Sequence, residues 1–221
     1  MERTRLELDV TETYESAPQA DRPLIIACGA IATEPVAALD ANKARERVEI
    51  QCLPAIWHNR PERIPGGVKE KIEAARLANP TRSIFVAYAD CGSGGMLDRE
   101  LAKHDNVERL PGAHCYAFFA GLQAFDTMME QEIGTFFLTD YLARHFQRLI
   151  WDGMGLTAHP ELKELIFGHY TKVTYLAQQN PAPYVAEAQA AADLICGGKL
   201  EIVHTGYGLL ETITSFANDE A

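Results

Sequence analysis

An α/β fold, a single layered domain with a largely parallel sheet flanked by helices, is predicted from three observations. Short apolar runs such as Leu24–Ala27, Ile84–Ala87 and Thr135–Thr139 have the length of buried strands. Amphipathic stretches of helical period stand between them, as in the segment from Val68 to Ala78 with its Lys and Glu. Strand–helix alternation of this kind favours parallel pairing, because each crossover carries a helix. The chain of 221 residues shows no linker and no low-complexity segment. It reads as a polar arm over residues 1–22, followed by one domain over residues 23–221.

Taken in order, Leu24–Ala27 is the first strand and runs into Cys28-Gly29. Pro35 suits the opening turn of a helix from about Glu34 to Arg47, where a missing N–H costs nothing. Val48–Leu53 is the second strand, ended by Pro54. The loop Pro54–Pro61 carries Trp57, His58 and Asn59, and the helix from Val68 stops at Asn79-Pro80. Ile84–Ala87 is the third strand. A short helix from Leu97 and a weak strand from Val107 follow. His114 to Glu132 then reads as one helix with an aromatic start. In the second half, Thr135–Thr139 is a strand, and Asp140 is placed to cap a helix from Tyr141 to Asp152. Further helices are expected near Pro160–Gly168 and Tyr184–Cys196, with strands at Val173–Leu176 and Leu200–His204.

Composition narrows the function classes. A formal charge of −11 argues against binding a phosphate backbone, which needs clustered Lys and Arg. No run has the length and apolarity of a membrane span. The first ten residues lack the apolar core of a signal peptide, so a cytoplasmic location, away from membranes and nucleic acid, is expected. Five cysteines in that compartment are not a disulfide framework. Each is then a buried inert thiol or one with metal or catalytic chemistry. Cys52, inside a strand, and Cys196, closing an alanine-rich helix, take the first reading.

Cys28, Cys91 and Cys115 stand differently, after strands or in loops before helices. Strands of a parallel sheet end on one edge, so these three thiols are expected to meet there. Thiolate is a soft ligand that selects zinc or an iron–sulfur cluster. Three thiolates and an imidazole would close a tetrahedral zinc site, and three with an open position would make a reactive one. No Cys-x-x-Cys pair is present, so the convergence is weighed against three unrelated buried thiols. His58 and His114 are candidate ligands or proton carriers beside them. Asp90 is a candidate base or an orienter of a histidine, and it equally suits capping its own turn. Gly92-Ser93-Gly94-Gly95 matches neither dinucleotide nor Walker loops. It is a candidate cradle or clearance for a ligand near Cys91, with a tight turn as the plainer reading. Tyr116 is a candidate ligand wall at the head of an aromatic run that otherwise reads as core.

The stretches Ile26-Ala-Cys28-Gly-Ala30, Leu53-Pro-Ala-Ile-Trp-His58-Asn59, Tyr88-Ala-Asp-Cys91-Gly-Ser-Gly-Gly95, His114-Cys115-Tyr116 and Gly134–Asp140 together resemble one family. It is the family named domain of unknown function 1638, found in methanogenic archaea and proteobacteria. The resemblance covers about Leu24 to Leu176 and picks out Cys28, His58, Cys91 and Cys115. It implies an association with corrinoid proteins and methyltransferases of methylamine or betaine use. The expectation drawn from it is a metal-dependent enzyme of one-carbon metabolism. In that reading Cys28, Cys91 and Cys115 bind Zn2+, and the enzyme is a methyltransferase acting on a small molecule with a corrinoid protein as partner. Two other readings stay open. One is a lyase, dehydratase or reductase with a three-cysteine [4Fe-4S] cluster. The other is a non-enzymatic accessory protein that binds a corrinoid protein or cofactor.

Overall fold

Leu24–Cys28 (β2) is apolar except at its end, and Leu24 through Ala27 are fully buried. Such a strand needs cover on both faces and partners on both edges, and it has them. It pairs in parallel with Glu49–Leu53 (β3) on one side and with Ile84–Ala87 (β4) on the other. Val107–Arg109 (β5) extends the sheet in parallel beyond β4, and Tyr14–Glu15 (β1) adds an antiparallel edge to β3. The order is β1-β3-β2-β4-β5. The structure is a computed structural model that describes residues 6–208 and 210–219. It separates into two compact units, residues 1–115 with 209–221, and residues 116–208.

In the first unit, Thr33–Ala41 (α1) and Ile64–Ala78 (α2) are the long crossovers. Ile64, Val68, Ile72 and Ala75 are buried on α2, the spacing of one helical face, and pack with Leu24, Ile26, Ile84 and Val86 of the sheet. The helix begins four residues before the expected Val68, because Pro65 fits its first turn. Met96–Leu101 (α3) follows the glycine loop. The tail returns as the helix Leu210–Asp219 (α9), which packs on α1; Phe216 meets Phe85 at 5.4 Å between ring centroids.

At the opposite edge from the strand ends, Arg82 and Glu49 form an ion pair at 2.8 Å, both side chains 4 % exposed. Arg82 also donates to the carbonyls of Arg22 and Gln19, and the Gln19 N–H donates to Glu49. The N-terminal segment is thereby tied to the start of β3 and the turn before β4. Burial by itself would raise the Glu49 pKa; Arg82 and the Gln19 N–H outweigh it and leave the carboxyl below its ordinary value.

The second unit holds a three-stranded parallel sheet, Thr135–Thr139 (β6), Lys172–Ala177 (β7) and Leu200–His204 (β8), in that order. The expected single helix from His114 to Glu132 is two, Cys115–Ala120 (α4) and Leu122–Gln131 (α5). They are separated at Gly121, whose φ of +85° no helix tolerates. The helix expected over Tyr141–Asp152 is likewise the short Asp140–Arg144 (α6) followed by a wider turn over Gln147–Asp152. Its cap is Thr139, whose hydroxyl accepts from the Leu142 N–H, and not Asp140. Asp140 is buried and accepts instead from the Tyr175 hydroxyl at 2.6 Å, the Gln178 N–H and the Gln179 amide. Lys163–Phe167 (α7) and Val185–Cys196 (α8) complete the unit. No helix among the described residues is long and apolar enough to cross a membrane.

Glu49→Ala leaves the Arg82 charge buried and unpaired, so urea unfolding is expected to show a loss of about 3–5 kcal/mol. The Glu49 contribution is present above the ordinary carboxyl value of 4.5 and lost as pH falls through its lowered pKa. The gap between wild type and Glu49→Ala should therefore narrow in acid.

Candidate functional site

In a sheet ordered β3-β2-β4-β5, the connection after β2 leads to one side and the chain later crosses to the other. The carboxyl ends of β2 and β4 therefore flank a topological switch point, where open α/β sheets form their crevice. Cys28 is the last residue of β2. Register pairs Ala27 with Ala87, so the next residues along, Cys28 and Tyr88, leave the sheet as neighbours. Cys91 follows three residues later, His58 lies in the tight turn Ala55–Asn59 after β3, and His114 and Cys115 follow β5. All belong to the first unit.

The loop that presents Cys91 is built by Asp90. Its carboxylate accepts from the Ser93 hydroxyl at 2.7 Å, the Gly95 N–H at 2.8 Å and the Gly94 N–H at 3.0 Å. The N–H groups that an anion cradle would offer thus serve the chain's own carboxylate. The Ser93 side chain, these two amides and Arg109 hold the Asp90 pKa below the ordinary range against some burial. Gly92, Gly94 and Gly95 all have positive φ, as does Cys91 itself at +49°. A cysteine in that left-handed region pays a steric penalty that its surroundings must offset. The offset is visible: the Asp90 and Cys91 N–H groups donate to the carbonyls of Gly112 and Ala113, stitching this loop to the one that carries His114 and Cys115.

Burial raises the pKa of all three thiols. Each cysteine is half-buried by exposure, yet the protein around its sulfur is dense enough for desolvation to dominate. Burial pushes the Cys91 thiol up to about 12, with Cys28 adding to the rise and the Ala89 and Cys115 backbones opposing it. Burial, Cys91 and Cys28 together carry Cys115 well above its ordinary value. Cys28 is raised by burial and eased by the Ala30 backbone and Tyr88. All five cysteines are free thiols. Cys52, fully buried in β3, is pushed up to about 12 by burial and then by Cys28, so it stays a neutral thiol beside the group.

His58 is held below the ordinary imidazole value by burial and by His114 nearby, and is therefore neutral at pH 7. Its turn is anchored by Trp57, whose ring covers Gly67 of α2 so closely that a Cβ there would overlap it. The Arg63 guanidinium lies over that ring, 5.2 Å from its centroid. His114 is exposed. Tyr116 belongs to the second unit, in an aromatic cluster with Phe125 and Phe137, each at 5.8 Å.

Tyr88 was not among the residues singled out from sequence. Its side chain is 2 % exposed and its hydroxyl is buried. Burial holds that hydroxyl well above its ordinary pKa, and the Cys28 thiol acts on it by charge and by a side-chain hydrogen bond, with Cys91 and Cys52 adding to the rise. A tyrosine one residue beyond a buried strand beside a thiol is the signal that would have found it.

Residues 52–214 match the family model described as protein of unknown function (DUF1638). The chain belongs to this family. Neither the curated proteins nor the solved structures give a significant match. In this DUF1638 chain the matched span holds His58, Tyr88, Asp90, Cys91 and Cys115, while Cys28 precedes it. Among the described residues, no three His, Cys, Asp or Glu side chains stand, as placed, as a ready metal-holding group.

Two variants test this geometry. Cys91→Gly is expected to be more stable than Cys91→Ala by about 1 kcal/mol, because only Ala keeps a Cβ at positive φ; equal unfolding midpoints would contradict the left-handed assignment. Gly67→Ala must displace Trp57 and with it the His58 turn. Trp fluorescence should shift, and the His58 titration followed by NMR should move up towards its ordinary value.

Proposed function

We propose that this DUF1638 protein is a metal–thiolate enzyme in which Cys28, Cys91 and Cys115 together hold a soft cation such as zinc. What supports the reading is the placement of Cys28 at the end of β2 and of Cys91 and Cys115 in loops joined by backbone hydrogen bonds beyond β4 and β5, at the switch point of a parallel sheet. Without a cation these thiols stay protonated, since their thiolates would be buried like charges. A bound cation reverses that preference and, as a Lewis acid, keeps a substrate sulfur deprotonated at neutral pH.

The chain's own groups supply the rest. His58, half-buried and neutral, is the acceptor for the proton that a substrate thiol gives up, and the exposed His114 that acts on it is the next carrier. Asp90 holds the Cys91 loop in place through its three hydrogen bonds and takes no proton itself. The finer form of the proposal is methyl transfer in one-carbon metabolism, with a corrinoid protein as partner. It draws on the association implied by the family resemblance and on the suitability of a thiolate site for handling an alkyl group.

Anaerobic purification with metal quantification and an absorption spectrum tests it. About one zinc per chain is expected for a closed thiolate site, with loss of that zinc in Cys28→Ala, Cys91→Ala and Cys115→Ala. Stoichiometric iron with a brown chromophore lost in air would replace zinc by a three-cysteine cluster. Metal-free wild type, or metal content untouched in all three variants, would overturn the metal reading and leave a binding role for the protein.

A further inference from the structure

We infer that β8 is a dimerisation edge: its free side pairs antiparallel with β8 of a second copy of this chain, about a twofold axis at Ile202, and joins two three-stranded sheets into one. The thiol site plays no part in it. β6 and β8 are the two edge strands of the sheet β6-β7-β8, yet they differ in cover. Every residue of β6 is buried, whereas none of β8 is, and Glu201, Ile202 and His204 are exposed. Parallel strands are ordinarily covered on both faces, and an open edge is a template for pairing unless proline, a bulge or charge blunts it. β8 has no proline, and its carboxylate, Glu201, is held by Lys172 of β7 at 2.8 Å.

The backbone decides which groups are free. The Val173 N–H donates to the Lys199 carbonyl, and the Thr205 N–H donates to the Ala177 carbonyl. With Thr174 in register with Glu201 and Leu176 with Val203, Lys199, Glu201, Val203 and Thr205 turn their peptide groups towards β7. Leu200, Ile202 and His204 turn theirs outwards, where no backbone partner stands among the described residues. Residues of an antiparallel pair exchange both bonds only when both face outwards. Full overlap of the strand with its own copy then sets Ile202 opposite the partner's Ile202 and Leu200 opposite the partner's His204. On the other face Glu201 stands opposite the partner's Val203. This register is what names a second copy as the occupant. It puts apolar against apolar at the axis and brings no two like charges directly opposite one another. A twofold interface requires such a self-complementary patch.

The test uses the full chain. Sedimentation equilibrium over a range of concentrations is expected to show wild type as a reversible dimer. Residue 202 faces itself across the axis, so Ile202→Lys and Ile202→Glu each set two like charges together and should each weaken the dimer about tenfold. Mixed in equal amounts, the two variants set Lys against Glu and should recover a dimer containing one of each, identified by native mass spectrometry. Ile202 is exposed and its peptide group lies outside the ladder to β7, so both variants should keep the wild-type circular dichroism. That readout separates loss of pairing from loss of fold. Monomeric wild type overturns the second copy as occupant and leaves the edge to an extended segment of another protein. A dimer indifferent to both single variants places the interface elsewhere and also overturns the inference. So does a mixture of folded variants that stays monomeric, because the axis would then not lie at Ile202.

Discussion

Parallel pairing of β2 with β3 on one edge and β4 on the other is the constraint from which the candidate site follows. A central strand with no exposed residue from Leu24 to Ala27 has no alternative register that keeps its apolar side chains dry. Once that register is set, the carboxyl ends of β2 and β4 must emerge together and their connections must diverge. Cys28, Tyr88 and Cys91 occupy that divergence because of where the strands stop, and the loop after β5 is stitched beside them through the Gly112 and Ala113 carbonyls. The buried Arg82–Glu49 pair performs the matching task at the other edge, tying the strand starts to the N-terminal segment.

Dryness decides the chemistry of the site. Burial disfavours ionisation of Cys91 and Cys115, and each is raised further by Cys28, so these sulfurs rest as neutral thiols. His58 obeys the same rule with the opposite charge sign: burial keeps it neutral and thus able to accept a proton or donate a lone pair. Rigidity comes from elsewhere. The Asp90 carboxylate organises the glycine loop, holding Cys91 at a backbone angle it would not choose alone.

The second unit uses a similar layout to another end. Asp140, where β6 gives way to α6, is surrounded by donors from Tyr175, Gln178 and Gln179, and its own N–H donates to the Gln178 side chain. Every contact there is mutual and closed, which rigidifies a core. Tyr88 in the first unit presents the contrast, a buried hydroxyl whose neighbours are the sulfurs of Cys28, Cys91 and Cys52.

From sequence alone, the strand–helix alternation and the strands β2, β4, β6 and β8 could be read. Each is written in local pattern: an apolar run, a glycine, a proline at a boundary. The break at Gly121 was equally local but hidden, because the aromatic run on either side has helical spacing and the glycine's positive φ shows only in the folded backbone. Asp90 looked like either a base or a cap, and that choice belonged to the loop closing around it. Strand order, the switch point, the reassignment of Asp140 from cap to buried acceptor, and the place of Tyr88 beside Cys28 were decided by tertiary structure. Each depends on which residues distant in sequence are brought into register, and that is settled by burying whole faces of strands and helices together.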